Sequence, residues 1–210
     1  MKRSIITALA ATLVLGTTMA ADAVRQDRLA EDAQVIEQAW TAWALGGSSN
    51  ALLADDFCGE IVEGKFFLTV PLGSGATELD CTIPSGMQAV ASPFGAFSWS
   101  PTDGKTGTKL FNATFGYLKG VEPKAVKVVV DGSALPKGPM LCSLPFDISL
   151  EPGNSLQQLD PQVKGDSTKV VTCGWFYLVG PLSPGSHTID MAGRVKGSDG
   201  FSLRYNVTVT

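Results

Sequence analysis

From Phe201 to Val209 the chain reads Phe-Ser-Leu-Arg-Tyr-Asn-Val-Thr-Val, an apolar/polar alternation that predicts a strand with one buried face. Upstream, Leu182 to Met191 reads as a turn feeding a second strand, so the chain is expected to finish as a β-hairpin. Lys169 to Val179 differs. Val171, Cys173, Trp175, Tyr177 and Val179 lie on one face, yet Val170, Phe176 and Leu178 lie on the other. A strand apolar on both faces is covered on both faces. The expected cover is a helix over Asp22 to Leu45, where Leu29, Ala33, Ile36, Trp40 and Trp43 recur at spacings of four and three. Gly46-Gly47 ends it. Its polar face is mixed in charge, which favours docking on the domain over a membrane surface.

Between these elements, strands are expected in Glu60 to Val70, Leu79 to Ile83, Met87 to Ala91, Lys109 to Leu118, Ala125 to Val130 and Cys142 to Leu150. Asp131-Gly132 reads as a turn. Phe94 to Thr108, rich in Gly, Pro, Ser and aromatics, reads as a long loop. With 23 Gly, 12 Pro and only 17% charged residues, the composition fits short strands joined by tight turns. The predicted class is all-β: an antiparallel β-sandwich, jelly-roll or immunoglobulin-like, with the N-terminal helix docked on it. Residues 1–20 are expected to be a signal peptide, 21–57 the helix and linker, and 58–210 the sandwich.

The leader reading rests on Lys2 and Arg3, an apolar stretch from Ile5 to Leu15, and a small-residue cleavage site at Thr18-Met19-Ala20. The apolar run is too short for a transmembrane helix. Without Lys2 and Arg3 the 16 basic groups fall to 14 against 20 acidic, a net charge near −6. That argues against nucleic acid as a partner, because phosphate binding needs clustered Lys and Arg. The expected location is secreted or periplasmic.

Export gives Cys58, Cys81, Cys142 and Cys173 a reading as two disulfides. Of the three pairings, Cys58 with Cys81 and Cys142 with Cys173 is favoured, since each closes a loop of moderate length. A zinc site is disfavoured by the absence of C-x-x-C and by the single histidine, His187. No regular calcium loop and no other cofactor motif is present, so none is expected.

No serine is flanked by the glycines of a nucleophile elbow. His187 shares its strand face with Ile189 and Met191 and reads as a hydrogen-bonded structural residue. Asp55, Asp56, Glu60, Glu63, Asp131, Asp147 and Asp190 include candidates for a carboxylate pair, with no diagnostic spacing. The better lead is Phe94, Phe97 and Trp99, set in a segment without strand periodicity and expected to form or border a ligand surface that stacks on a flat partner.

The chain resembles a group of exported bacterial β-sandwich proteins. The resemblance is carried by Trp40-Thr-Ala-Trp43, Cys58 before a Phe-rich strand, Cys81-Thr-Ile-Pro-Ser-Gly86, Val130-Asp-Gly132, and Gly174 through Ile189 leading to Tyr205-Asn-Val-Thr-Val209. It implies fold and export and brings no catalytic residues with it. The expected function is a binding or interaction module for an extracellular glycan, a cell-envelope polymer or a protein. The alternative is a polymer-degrading glycoside hydrolase or lyase that uses acidic residues.

Overall fold

The computed structural model describes residues 34–49, 51–54, 56–71, 78–137 and 140–210. The leader and the first half of the expected helix lie outside the described residues. The other half is helical over 34–46, here α1. The remaining elements are β1 (Gly59–Val62), β2 (Lys65–Leu68), β3 (Glu78–Ile83), β4 (Ala89–Trp99), α2 (Gly107–Tyr117), β5 (Lys127–Val130), β6 (Ser133–Ala134), β7 (Leu141–Cys142), β8 (Phe146–Ser149), α3 (Ser155–Leu159), β9 (Ser167–Val179), β10 (Gly185–Gly193) and β11 (Phe201–Val209), with a 3-10 turn at Pro123–Ala125.

The strands form two sheets. One runs β1-β2-β4-β9, with β7 and β8 following one another along the far side of β9. The other runs β3-β11-β10-β5-β6. The β-rich class is as expected, but the strictly antiparallel arrangement is not: β2 pairs parallel with β4, and β3 pairs parallel with β11. The arrangement is not a clear jelly-roll, since each of the two sheets is mixed and contains one parallel pair. The terminal hairpin is the one its alternation predicts, with β10 and β11 in continuous register from Gly185↔Val209 to Gly193↔Phe201.

The inner faces share one core. Ala91, Cys173, Trp175, Tyr177 and Val179 from the first sheet meet Val128, Ile189, Met191, Leu203, Tyr205 and Val207 from the second. A second apolar layer covers the opposite face of the first sheet. There Phe67, Val90, Ile148 and Val170 meet Trp40, Trp43 and Leu45 of α1. The helix therefore docks on the outer face of β9, as its apolar stripe requires. Trp40 stacks on Phe97 at 6.0 Å, meets Phe176 edge-on at 5.9 Å, and donates its indole N–H to the Leu68 carbonyl at 3.1 Å. Leu178 is a correction to the expected cover: it is 44% exposed and α1 does not reach it.

Two further expectations are overturned. Phe94 to Thr108 is a loop only from Ser100 to Thr106, because β4 continues to Trp99 and α2 begins at Gly107. The periodicity of β4 is broken between Ala91 and Phe94, where the pairing with β9 shifts register across Ser92-Pro93. A bulge accommodates a proline that lacks an N–H for the ladder. Lys109 to Leu118 is a helix, not a strand. Thr106 caps it by accepting from the Lys109 N–H, and Leu110 and Thr114, one turn apart, are buried. Phe111, Phe115 and Tyr117 give the segment a β-like composition that this spacing overrides.

Candidate functional site

The three aromatics expected to share a surface are divided between the two faces of β4. Phe94 packs against the inter-sheet core and meets Phe201 at 6.1 Å. Phe97 and Trp99 pack against the layer beneath α1. Phe97 is taken up by Trp40. The Trp99 indole donates to Asp160 at 2.7 Å, and the Thr102 hydroxyl bonds the same carboxylate. Those two donors, Thr102 first, hold the Asp160 carboxyl below its usual range. These rings therefore hold elements together and do not form one flat surface. The cause is the strand itself, since residues 94 and 97 are an odd number apart.

The exposed aromatics lie on α2, which caps the end of the core where β4 and β9 run on beyond the second sheet. Its inner side is tied down by hydroxyls. Ser98 Oγ donates to the Leu110 carbonyl at 2.7 Å and lies 2.5 Å from Thr114 Oγ1, which itself reaches the Val171 carbonyl at 3.3 Å. Its outer side carries Phe111 and Phe115, 40% and 46% exposed. Their rings lie 6.3 Å apart and within 6° of parallel. Tyr117 flanks them, its hydroxyl donating to Asp103 at 2.6 Å, a bond that raises the phenol pKa. The missed signal was the four-residue spacing of Leu110, Thr114 and Leu118 behind a Thr106 cap, which brings Phe111 and Phe115 to one face.

Four carboxylates line a groove of about 460 Å³ beside α1: Glu60, Glu63, Asp147 and Glu151. Three are already engaged. Glu60 accepts from the Trp43 indole at 2.9 Å, Glu151 accepts from the Ser48 N–H at 3.0 Å, and Asp147 pairs with Lys169 at 2.9 Å. Among the described residues, no group of three or more His, Cys, Asp or Glu is arranged to hold a metal ion.

Ser183, His187 and Asp131 come together at the end of β10 in a grouping that outwardly resembles a catalytic triad. The hydrogen bonds assign it another role. His187 Nδ1 lies 2.7 Å from Asp131 Oδ2, and Nε2 lies 2.8 Å from the Ser183 carbonyl. The Ser183 hydroxyl lies farther off, 3.5 Å from Nε2, so the ring's two short contacts go to a carboxylate and a backbone carbonyl, both acceptors that favour the protonated ring. Asp131 first, then the carbonyl, raises the imidazole pKa, and His187 lowers that of Asp131. Asp131 also accepts from the Thr188 N–H at 2.8 Å. The cluster clips the β5–β6 turn to β10, the structural part expected of this histidine.

No family model and no curated protein matches the chain. The solution structure of Amebosin aligns at 12% identity over 63% of this chain and 89% of its own, with a TM-score of 0.21, a likeness that carries no argument about fold or function.

Proposed function

We propose that the chain is an exported bacterial binding module, secreted or periplasmic, on a β-sandwich scaffold, and that its contact surface for a glycan or cell-envelope polymer is the outer face of α2. The observation that carries this reading is the pair of near-parallel, half-exposed rings of Phe111 and Phe115 on a helix whose other side is locked by buried hydroxyls. Two adjoining rings offer successive sugars a flat apolar surface, and a locked backbone keeps the ordering cost low. Export is supported by the leader-like first 20 residues and by both disulfides, which persist in oxidising compartments. No helix among the described residues is long and apolar enough to cross a membrane. The hydrolytic alternative has less support, because three of the four grouped carboxylates already hold structural partners.

The test is cosedimentation with insoluble peptidoglycan and with chitin. The wild-type protein is expected to pellet with at least one of them. Phe111→Ala with Phe115→Ala should abolish this while leaving unfolding within about 0.5 kcal/mol, as is usual for surface changes. Retention of binding by the double variant would overturn the reading.

A further inference from the structure

Behind Phe115 lies a cleft of about 370 Å³, the size of a small-molecule site. Phe115 and Leu118 come from α2 and its end, Val121 and Pro123 from the following turn, and Met140 and Trp175 close the far side. Lys119 is the one charged residue in the lining. A sugar would leave most of its hydroxyls unpaired here, at a desolvation cost the walls do not offset. An alkyl chain would not.

The rim has the opposite character to the chain as a whole, whose net charge is −4. Lys119 is at the wall. Lys137 places its Nζ 5.5 Å above the Trp175 ring and donates to the Pro123 carbonyl. Lys124 stands in the adjoining 3-10 turn. The acid within this stretch, Glu122, is taken up by Arg194 through Nε at 2.9 Å and Nη2 at 2.5 Å. An apolar cleft with uncompensated ammonium groups at its mouth is complementary to a chain that ends in a negative charge.

We propose that this cleft is a binding site for a single-chain alkyl carboxylate, with the chain against Leu118, Met140 and Trp175 and the carboxylate between Lys119 and Lys137. The site adjoins the glycan surface and shares Phe115 with it. Phe111 borders only the glycan surface.

Laurate below its micellar concentration is the probe, titrated calorimetrically into the disulfide-intact protein. Saturable one-to-one binding is expected. Dodecyltrimethylammonium, with the same chain and the opposite charge, should bind at least about tenfold more weakly, and acetate should not bind. Lys119→Glu with Lys137→Glu should weaken laurate by about tenfold or more, whereas Phe111→Ala should leave it unchanged even if that variant loses polymer binding. Should the charge-reversed variant fail to fold, the comparison of the two headgroups on the wild-type protein decides. The proposal is overturned by an absence of saturable laurate binding, by equal affinity for both headgroups, by indifference to charge reversal in a folded variant, or by binding to phosphatidylglycerol vesicles without binding to monomeric laurate.

Discussion

Glu37 is the residue most at odds with its surroundings. It lies on the docked side of α1 between Trp40 and Thr41 in the helical projection, is fully buried, and neither of its carboxyl oxygens has a hydrogen-bond partner. Burial alone raises its pKa from 4.5 to about 8, with no charged neighbour contributing. The layer around α1, including Phe67, Val90, Ile148 and Val170, is apolar. Glu60 accepts from the Trp43 indole, and Asp147 pairs with Lys169. Between pH 4.5 and about 8 the folded chain holds a proton that the unfolded chain has lost. Stability therefore falls as pH rises through that window, by up to about 1.4 kcal/mol per unit, and levels off above it. Thermal unfolding from pH 4 to 9 should show this slope in the wild type and lose most of it in Glu37→Gln, which should be the more stable protein at pH 8.5. An unchanged slope would locate the linkage in another group. Beside it, Trp40→Ala removes three ring contacts and the bond to Leu68, and denaturant unfolding should register a loss of about 3 to 5 kcal/mol.

Elements were legible in the sequence where one periodicity ran unbroken. β9, β10 and β11 follow directly from alternation, and the two-sided apolar character of β9 required the α1 that covers it. β4 was hidden because a bulge at Ser92-Pro93 resets its phase halfway along. α2 was hidden because its exposed face is aromatic, which resembles a strand unless the inward Leu110, Thr114 and Leu118 are counted first. The site was lost with these two elements. Phe94, Phe97 and Trp99 pack as ties between elements, and the exposed rings lie on α2 instead. The β5–β6 turn shows what was legible from two residues. Asp131 and Gly132 both take positive φ, 47° and 79°, as a two-residue hairpin requires. A non-glycine residue there is held by its side chain, bonded to His187 and to the Thr188 N–H. The imidazole pKa is raised in the fold, so the support this pair gives is complete below the ordinary value of 6.5 and is lost as pH rises through the raised one. Hydrogen exchange should show protection at Val129 and Val130 declining relative to β11 above that range. His187→Ala should lower it at pH 6 as well.

At the scale of the molecule, β1 and β8 stand at opposite edges of the first sheet, yet Glu60 and Val62 of one line the same groove as Asp147 and Ile148 of the other. The sheet is thus curled about α1. The helix fills the hollow, with Ala39, Ala42 and Trp43 lining the groove between the two edges. The two disulfides act on different parts of this arrangement. Cys142 and Cys173 sit directly opposite each other on β7 and β9, strands already joined by the ladder. Cys58, just before β1, reaches Cys81 on β3 and so ties the first sheet to the second. The closed loops are similar, with separations of 23 and 31 residues, and chain entropy assigns each about 3 to 4 kcal/mol. The difference between them should appear in cooperativity. Cys142→Ala with Cys173→Ala should lower the unfolding midpoint in denaturant and keep a single transition. Cys58→Ala with Cys81→Ala should lower it by a comparable amount and also let the sheets separate in stages, so that tryptophan fluorescence, dominated by the α1 layer, no longer coincides with far-ultraviolet circular dichroism. Coincident transitions in that second variant would mean that the shared apolar core alone couples the two sheets.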